Sequence, residues 1–301
     1  MNWRRPCLGR RVNKVANQIL LQLLNGLVVG SSLALVAGGL ALLFGVLHII
    51  NFAQGDFFML GGYSVWFVLG VTHNYFLSLV VGAVLVAVFG GLLLAAIVWP
   101  LLRKSQVLIL LATLGLSLIL EQGATNLIGG DTKLVQPPLS LAIPIGPVLY
   151  PAYDLIVVAA GMGILVLGYF ALQYTRYGIW LRAVAQNRPM ASALGVPVPR
   201  VFILALAVSS GLSALAGGLL LPLTSVYPTV GADVILNAFI IVVAGGLGNF
   251  RGAAIVSLLV GEVQSLGSLV LKPAILEVLL FGLVILLLMV RSRRQHLLVR
   301  L

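Results

Sequence analysis

Two carboxylates sit where a carboxylate is expensive. Asp56 closes the polar hexapeptide Asn51, Phe52, Ala53, Gln54, Gly55, Asp56 between two apolar runs, and Glu121 stands with Gln122 inside the apolar interval from Ser105 to Ile128. A charged group at mid-bilayer costs about 2.5 to 3.5 kcal/mol on insertion scales, so such a residue is protonated, paired, or turned toward a wet cavity. Glu121 therefore reads either as a cavity-facing or interhelical group or as one near the outer interface. The hexapeptide reads either as non-helical backbone satisfied inside the protein or as a plain turn at the membrane surface. Used together, the two carboxylates could serve an ion-coupled transporter or a channel.

Other chemistry has little to stand on. His48, His73 and His296 are scattered, and Cys7 has no second cysteine or histidine nearby, so neither a nucleophile with its base nor a metal site is expected. Residues 245–252, GGLGNFRG, carry glycines spaced G-x-G-x-x-x-G without a preceding strand, and the chain contains no Gly-Lys dipeptide. That is no nucleotide fingerprint. It reads as a tight turn held by Arg251, and the chain is expected to need no cofactor and to be no enzyme.

The elements that must position these groups follow from composition. The 301 residues are 61% hydrophobic and 8% charged, with mean hydropathy +1.15. Soluble domains carry about a quarter charged residues, so the chain is an integral membrane protein. Its net charge of +11 is concentrated at the two ends and in short loops rather than on one periodic face, which is a topology signal and not a nucleic-acid footprint. The expected fold class is all-α, a polytopic transmembrane helical bundle of about 8 to 10 membrane segments including short or broken helices.

Residues 1–17 read as a basic cytoplasmic arm, 18–290 as the transmembrane domain and 291–301 as a basic cytoplasmic tail. The apolar run from Gln18 to Ile50 is too long for one crossing and too short for two, so one span followed by a short or broken helix is expected. With the N-terminus inside, an even number of crossings precedes Arg103, and all basic residues except Lys133 and Lys272 are cytoplasmic. Gly26 and Gly30 form a GxxxG spacing, and Ser209, Gly211, Ser213, Ala214, Ala216, Gly217 and Gly218 make a small-residue face; both predict close helix packing.

The longest polar, arginine-bearing interval is Tyr174 to Pro199, YTRYGIWLRAVAQNRPMASALGVPVP. Asn187 is a good N-cap, Pro189 suits a first turn, Gly195 suits a C′ position and Pro197 stops the helix, which brackets about two turns. Met190, Ala191 and Leu194 give that helix one small apolar face. It is either an ordinary loop helix resting on its own membrane domain or a helix that docks a partner.

The pattern Tyr174, Thr175, Arg176, Gly178, Arg182, Ala183, then Met190, Ala191, Ser192, Leu194 and Gly195 resembles the cytoplasmic coupling loop of the permease subunits of branched-chain amino acid ABC importers. Leu40 to Asp56 resembles the same family's first signature, in which Asn-Phe-Ala precedes His-Gly-Glu; here Gln54 and Asp56 replace the His and the Glu. The run 213–218 and the stretch Asn237 to Gly261 complete the resemblance, while Glu262 departs from a usually apolar position and Gln264 from one where Glu is frequent.

The resemblance implies a permease for branched-chain or related amino acids in the bacterial cytoplasmic membrane. It implies a second permease subunit, two ATPase subunits, an extracytoplasmic binding protein and surrounding lipid as partners. ATPase coupling would fall to Gly178, Arg182, Ala183, Asn187, Met190, Ala191, Leu194 and Gly195. The translocation pathway would fall to Asn51, Gln54, Gly55, Asp56, Glu121, Gln122 and Asn237.

Overall fold

The structure, a computed structural model, describes residues 6–102, 104–272, 274–284 and 286. Helix α1, Pro6–Leu47, runs through the middle of the bundle. Between Ala34 and Ala41 its named side chains, Ala34, Leu35, Val36, Ala37, Leu40 and Ala41, are at most 2% exposed. A helix apolar all round is stable only when covered all round. α5 (Ala152–Tyr174), α8 (Val198–Leu220), α9 (Val230–Gly245) and α10 (Phe250–Gly267) provide that cover.

The closest approach is to α10. A Cβ at Gly30 would lie 2.9 Å from the Leu258 Cα, and one at Gly26 would lie 2.9 Å from the Glu262 Cα. The GxxxG spacing is thus the α1–α10 contact, where small residues let two backbones meet. The same glycines explain why α1 is unbroken across the stretch expected to contain a broken helix. They face neighbouring backbones instead of opening the helix, and no proline occurs between Pro6 and Pro100. α1 also crosses the expected boundary between residues 17 and 18 without interruption.

The break comes at His48, whose φ of 56° ends α1 with its N–H on the Phe44 carbonyl at 2.9 Å. His73 ends α2 (Gln54–Thr72) in the same way, with φ 52°. Two of the three histidines are therefore left-handed C-caps, a conformation that His adopts more readily than most non-glycine residues.

α2 starts deep in the bundle against the middle of α8 and runs outward along it. Gly61 and Gly217 are needed there, because a Cβ on either would overlap a carbonyl oxygen, of Ala214 and of Phe58 respectively. α3 (Tyr75–Leu101) returns along α8 and α2, and α4 (Gln106–Ile128), capped by Ser105, lies at the edge against α2 and α3. At one end, Tyr75 and Tyr153 hydroxyls sit 2.7 Å apart and donate to the Gly218 and Leu219 carbonyls, tying α3 and α5 to the end of α8. The loop after α4 forms a short antiparallel hairpin, β1 (Ala142–Ile145) with β2 (Val148–Pro151), and Lys133 bridges to Val226 in the α8–α9 loop.

Among the described residues six helices are long and apolar enough to cross a membrane. Two shorter helices, α9 and α11 (Ala274–Val284), are apolar as well, which makes eight apolar segments among the described residues.

A further expectation, that α1 starts on the same side as the Tyr174 to Pro199 interval, is not met. About midway along its length α1 meets the hairpin loop, where the Tyr150 hydroxyl donates to Asn25 Oδ1 at 3.0 Å, and the end of α10, where Ser265 donates to Gln22 Oε1 at 2.7 Å. Near its finish α1 meets the end of α5 and the residues that follow it. The start of α1 and the Tyr174 to Pro199 interval therefore lie at opposite ends of the bundle, and three segments, not an even number, precede Arg103. Positive charge misled here because a 42-residue helix, about 63 Å at 1.5 Å per residue, outreaches the bilayer and can carry Arg10, Arg11 and Lys14 beyond it on the far side. Arg4 and Arg5, the residue Arg103 and the tail 291–301 lie outside the described residues.

Candidate functional site

The interval Tyr174 to Pro199 folds as two helices, α6 (Arg176–Gln186) and α7 (Arg188–Ala193). Thr175 caps α6 by accepting from the Gly178 N–H at 3.1 Å, and Asn187 caps α7 by accepting from the Met190 N–H at 3.0 Å. α7 ends at Leu194, followed by Gly195 with φ +81° and then Pro197. The expected cap and stop of α7 are in place. α6 was not expected, although Thr175 three residues before Gly178 is the signal that would have found it.

Gly178 and Arg182 turn inward onto α5. A Cβ at Gly178 would overlap the Leu172 carbonyl oxygen. Arg182 donates to the Leu172 carbonyl, to Gln173 Oε1 at 3.0 Å and to the Gln173 carbonyl at 3.1 Å. The Leu172 and Gln173 carbonyls belong to the last turn of α5, where no helical N–H reaches them, and a cation there also complements the helix dipole. Ala183 accepts from the Asn187 N–H and so joins α6 to α7.

α7 does not present one apolar face. Ala191 is 2% exposed, packed into its own chain, whereas Met190 is 60% and Leu194 77% exposed. The expected trio is split: Ala191 seats the helix, and Met190 and Leu194 face away from the bundle. Six residues form no stable helix in water, so the Ala191 seat is a condition of α7 existing.

Arg188, read from sequence only as a topology charge, has a structural partner. Its Nη2 donates to the Leu47 carbonyl at 2.9 Å. Leu47 is the last residue of α1, and the break begins with His48. The half-buried guanidinium has its pKa lowered by burial but remains a cation. An arginine in the first turn of α7 opposes that helix's own dipole, so its placement makes sense only through a second helix end.

Behind Leu47 the chain stays non-helical through Ala53 and remains covered. Asn51 is 2% exposed and Gln54 0%. The Ala53 N–H donates to Asn51 Oδ1 at 3.2 Å, and the Phe52 N–H donates to Thr113 Oγ1 of α4 at 3.3 Å. Gln54 binds α8 through both ends of its amide: Nε2 donates to the Ser209 carbonyl at 3.0 Å and to Ser213 Oγ at 2.5 Å, while Oε1 accepts from Ser209 Oγ at 3.0 Å. This is a buried, satisfied chain break and not a surface turn.

Gly55 presses α2 onto Gly231 of α9. Next to it Asp56 is 2% exposed, and its Oδ2 has no hydrogen-bond partner among the described residues. α4 packs beside it, with Thr113 accepting from the Phe52 N–H. Thr113, Ser117 and Glu121 recur every fourth residue and so form one polar stripe on α4 turned to the break. That spacing was available in the sequence and identifies Thr113 and Ser117, which residue type alone did not.

Two of the expected pathway residues lie elsewhere. Gln122 is exposed, one position off the stripe, and donates to Asn126 at 3.3 Å. Asn237 accepts from Gln264 of α10 at 2.8 Å and donates to the Asp233 carbonyl, so it faces α10 and not the break. The turn after α9 carries Gly246 and Gly248 at φ +96° and +80°, Asn249 caps α10, and Arg251 lies 4.3 Å over the Tyr169 ring.

The site is thus a buried polar break inside a helical membrane bundle, with two capped helices at one end and one of them bonded to the residue before the break. The family model for the branched-chain amino acid transport system permease component matches residues 22–289. Over 288 residues the chain is 30% identical to the high-affinity branched-chain amino acid transport system permease protein LivH of Escherichia coli K12, covering 90% of this chain and 93% of that protein. LivH of Salmonella typhimurium LT2 matches over the same spans at 30% identity. BraD of Pseudomonas aeruginosa is 27% identical over 290 residues, covering 90% and 94%. No solved structure matches. The chain belongs to the branched-chain amino acid transport permease family.

Proposed function

We propose that this chain is the permease subunit of an ATP-driven importer that carries branched-chain or related small amino acids across the cytoplasmic membrane. Two separate ATPase subunits dock on α6 and α7, a second permease subunit completes the pathway, and an extracytoplasmic binding protein delivers substrate at the hairpin end. The observation that carries the reading is the bond from Arg188 to the Leu47 carbonyl. Through it a movement of the docked helix acts directly on the end of α1 and on the break from His48 to Ala53.

The pathway runs along the junction of α2 and α4. There the stripe of Thr113, Ser117 and Glu121 faces the break, and α4 has few neighbours besides α2 and α3. A two-state element biased from the docking helices is what alternating access requires. Family membership favours this reading over the ion-coupled use of Asp56 and Glu121.

The test is the paired substitution Met190→Glu with Leu194→Glu in the assembled importer. Both side chains are exposed, so membrane abundance stays at the wild-type level while ATPase co-purification and uptake fall at least tenfold, about 1.4 kcal/mol in binding. Uptake at the wild-type rate, or uptake that persists without any ATPase subunit, would remove the docking role.

A further inference from the structure

Two cavities meet at the coupling end of the bundle. The first, about 260 Å³, lies between the ends of α1 and α5, helix α6 and the turn before α10; its polar lining is Gln173, Arg182, Asn249 and Arg251. The second, about 480 Å³, is a groove on the outer surface between α5 and α10, lined by apolar residues such as Met162, Val166 and Ile255. They share Tyr169, Phe250 and Arg251. None of the seven acidic residues lines either one.

The Arg251 guanidinium rests on the Tyr169 ring, and among the described residues it makes no hydrogen bond. Arg251 lines both cavities, and none of its five donors meets an acceptor among the described residues. An exposed apolar groove that ends in a basic, acid-free pocket has the two-part chemistry of a phospholipid: an acyl chain along α5 and α10 and a phosphate at Arg251. Basic pockets between membrane helices take anionic headgroups for this reason. Arg182 adds positive potential beside the pocket, although its own donors are already engaged by Leu172 and Gln173.

We infer that the α5–α10 groove and the Arg251 pocket together bind one anionic phospholipid of the leaflet at the coupling end. The bound lipid props the turn before α10 against α6. It thereby couples bilayer composition to the ends of α1 and α5.

Full-length protein, delipidated in detergent, is titrated with phosphatidylglycerol and with phosphatidylcholine of the same acyl chains, and bound lipid is counted by native mass spectrometry. Phosphatidylglycerol binds more tightly by about fivefold, the factor one guanidinium near an anionic surface supplies. Arg251→Gln removes that preference, Ala254→Trp in the groove weakens both lipids, and inorganic phosphate displaces neither. Equal affinity of the wild type for the two lipids, an unchanged preference in Arg251→Gln, or displacement by phosphate alone overturns the inference. A photo-crosslinking residue at Ile255 in the membrane-embedded importer gives a lipid adduct. An adduct to a second permease chain or to an ATPase would make the groove a protein interface and also overturn it.

Discussion

Arg188 and Leu47 are 141 positions apart and are joined by one hydrogen bond of 2.9 Å from a guanidinium to the last carbonyl of α1. The bond completes two helix ends at once. It supplies a donor to a C-terminus that has spare acceptors, and it fixes the first turn of α7 to the bundle beside the seat made by Ala191.

Arg188→Ala should leave the membrane helices folded, since its one hydrogen bond among the described residues goes to a helix end. A cation on a partly buried C-terminus contributes up to about 2 kcal/mol, so the coupling between α7 and α1 is expected to weaken by an order of magnitude or more. Uptake should fall by about tenfold while ATPase co-purification is retained, and Arg188→Lys should recover part of it. If uptake tracks ATPase binding in both variants, Arg188 serves docking and not transmission.

Ala191→Asp separates seat from docking face. Ala191 is buried, so a carboxylate there enters apolar packing without a partner, and the variant should lose α7 altogether. Protease cleavage between Gln186 and Gly195 should become faster by more than tenfold in Ala191→Asp and stay unchanged in Leu194→Asp. Equal sensitivity of the two would contradict the split described for α7.

Gly195 tests the stop of α7. Its φ is +81°, and a Cβ there would meet no atom within 4 Å, so the only penalty for a side chain is backbone strain. Gly195→Val should cost on the order of 1 kcal/mol or more, and Gly195→Asn distinctly less, because Asn tolerates the left-handed region. Uptake ranked Gly, Asn, Val supports the conformational account; Asn as poor as Val points to a contact made by a partner.

Gln54 tests the break. Its amide satisfies a carbonyl and two hydroxyl groups of α8, so Gln54→Leu strands buried polar atoms at about 1 to 3 kcal/mol. Gln54→His, the residue of the family signature, keeps one donor and one acceptor and should lie between wild type and Leu in thermal stability. Gln54→His less stable than Gln54→Leu would mean that size, not hydrogen bonding, rules the site.

Local signals in the sequence located much of this. Asn187 and Gly195 set the limits of α7 because caps depend on residues within one turn, and the hexapeptide ending at Asp56 marked the break because its polarity stands out against apolar flanks. What a residue faces was less accessible. Met190, Ala191 and Leu194 look alike as an apolar triplet, and only the bundle beneath them decides that Ala191 turns inward. Arg188 was legible as a charge, but its acceptor lies in another helix. Asn237 and Gln264 form a pair across α9 and α10 that no local spacing announces.

The side on which α1 starts is open to a direct topology test. Gln22 and Asn25 of α1 bond to Ser265 and Tyr150, at the end of the bundle opposite α7. The bilayer core is about 30 Å thick, and the single helix from Gln22 to Leu47 spans about 38 Å at 1.5 Å per residue, so α1 crosses once without returning. If α6 and α7 meet cytoplasmic ATPases, the start of α1 is extracytoplasmic, against what Arg10, Arg11 and Lys14 suggest by the positive-inside bias. Accessibility tags at the N-terminus and at Gln136 should therefore report the same outer compartment, and a tag after Arg188 should report the cytoplasm. Deleting the basic residues before Gln18 should not invert that result, because the arginines between Tyr174 and Pro199 hold the opposite end inside. An N-terminal tag that reports the cytoplasm together with the tag after Arg188 would require α1 to double back, and the packing of Gln22 against Ser265 could not hold.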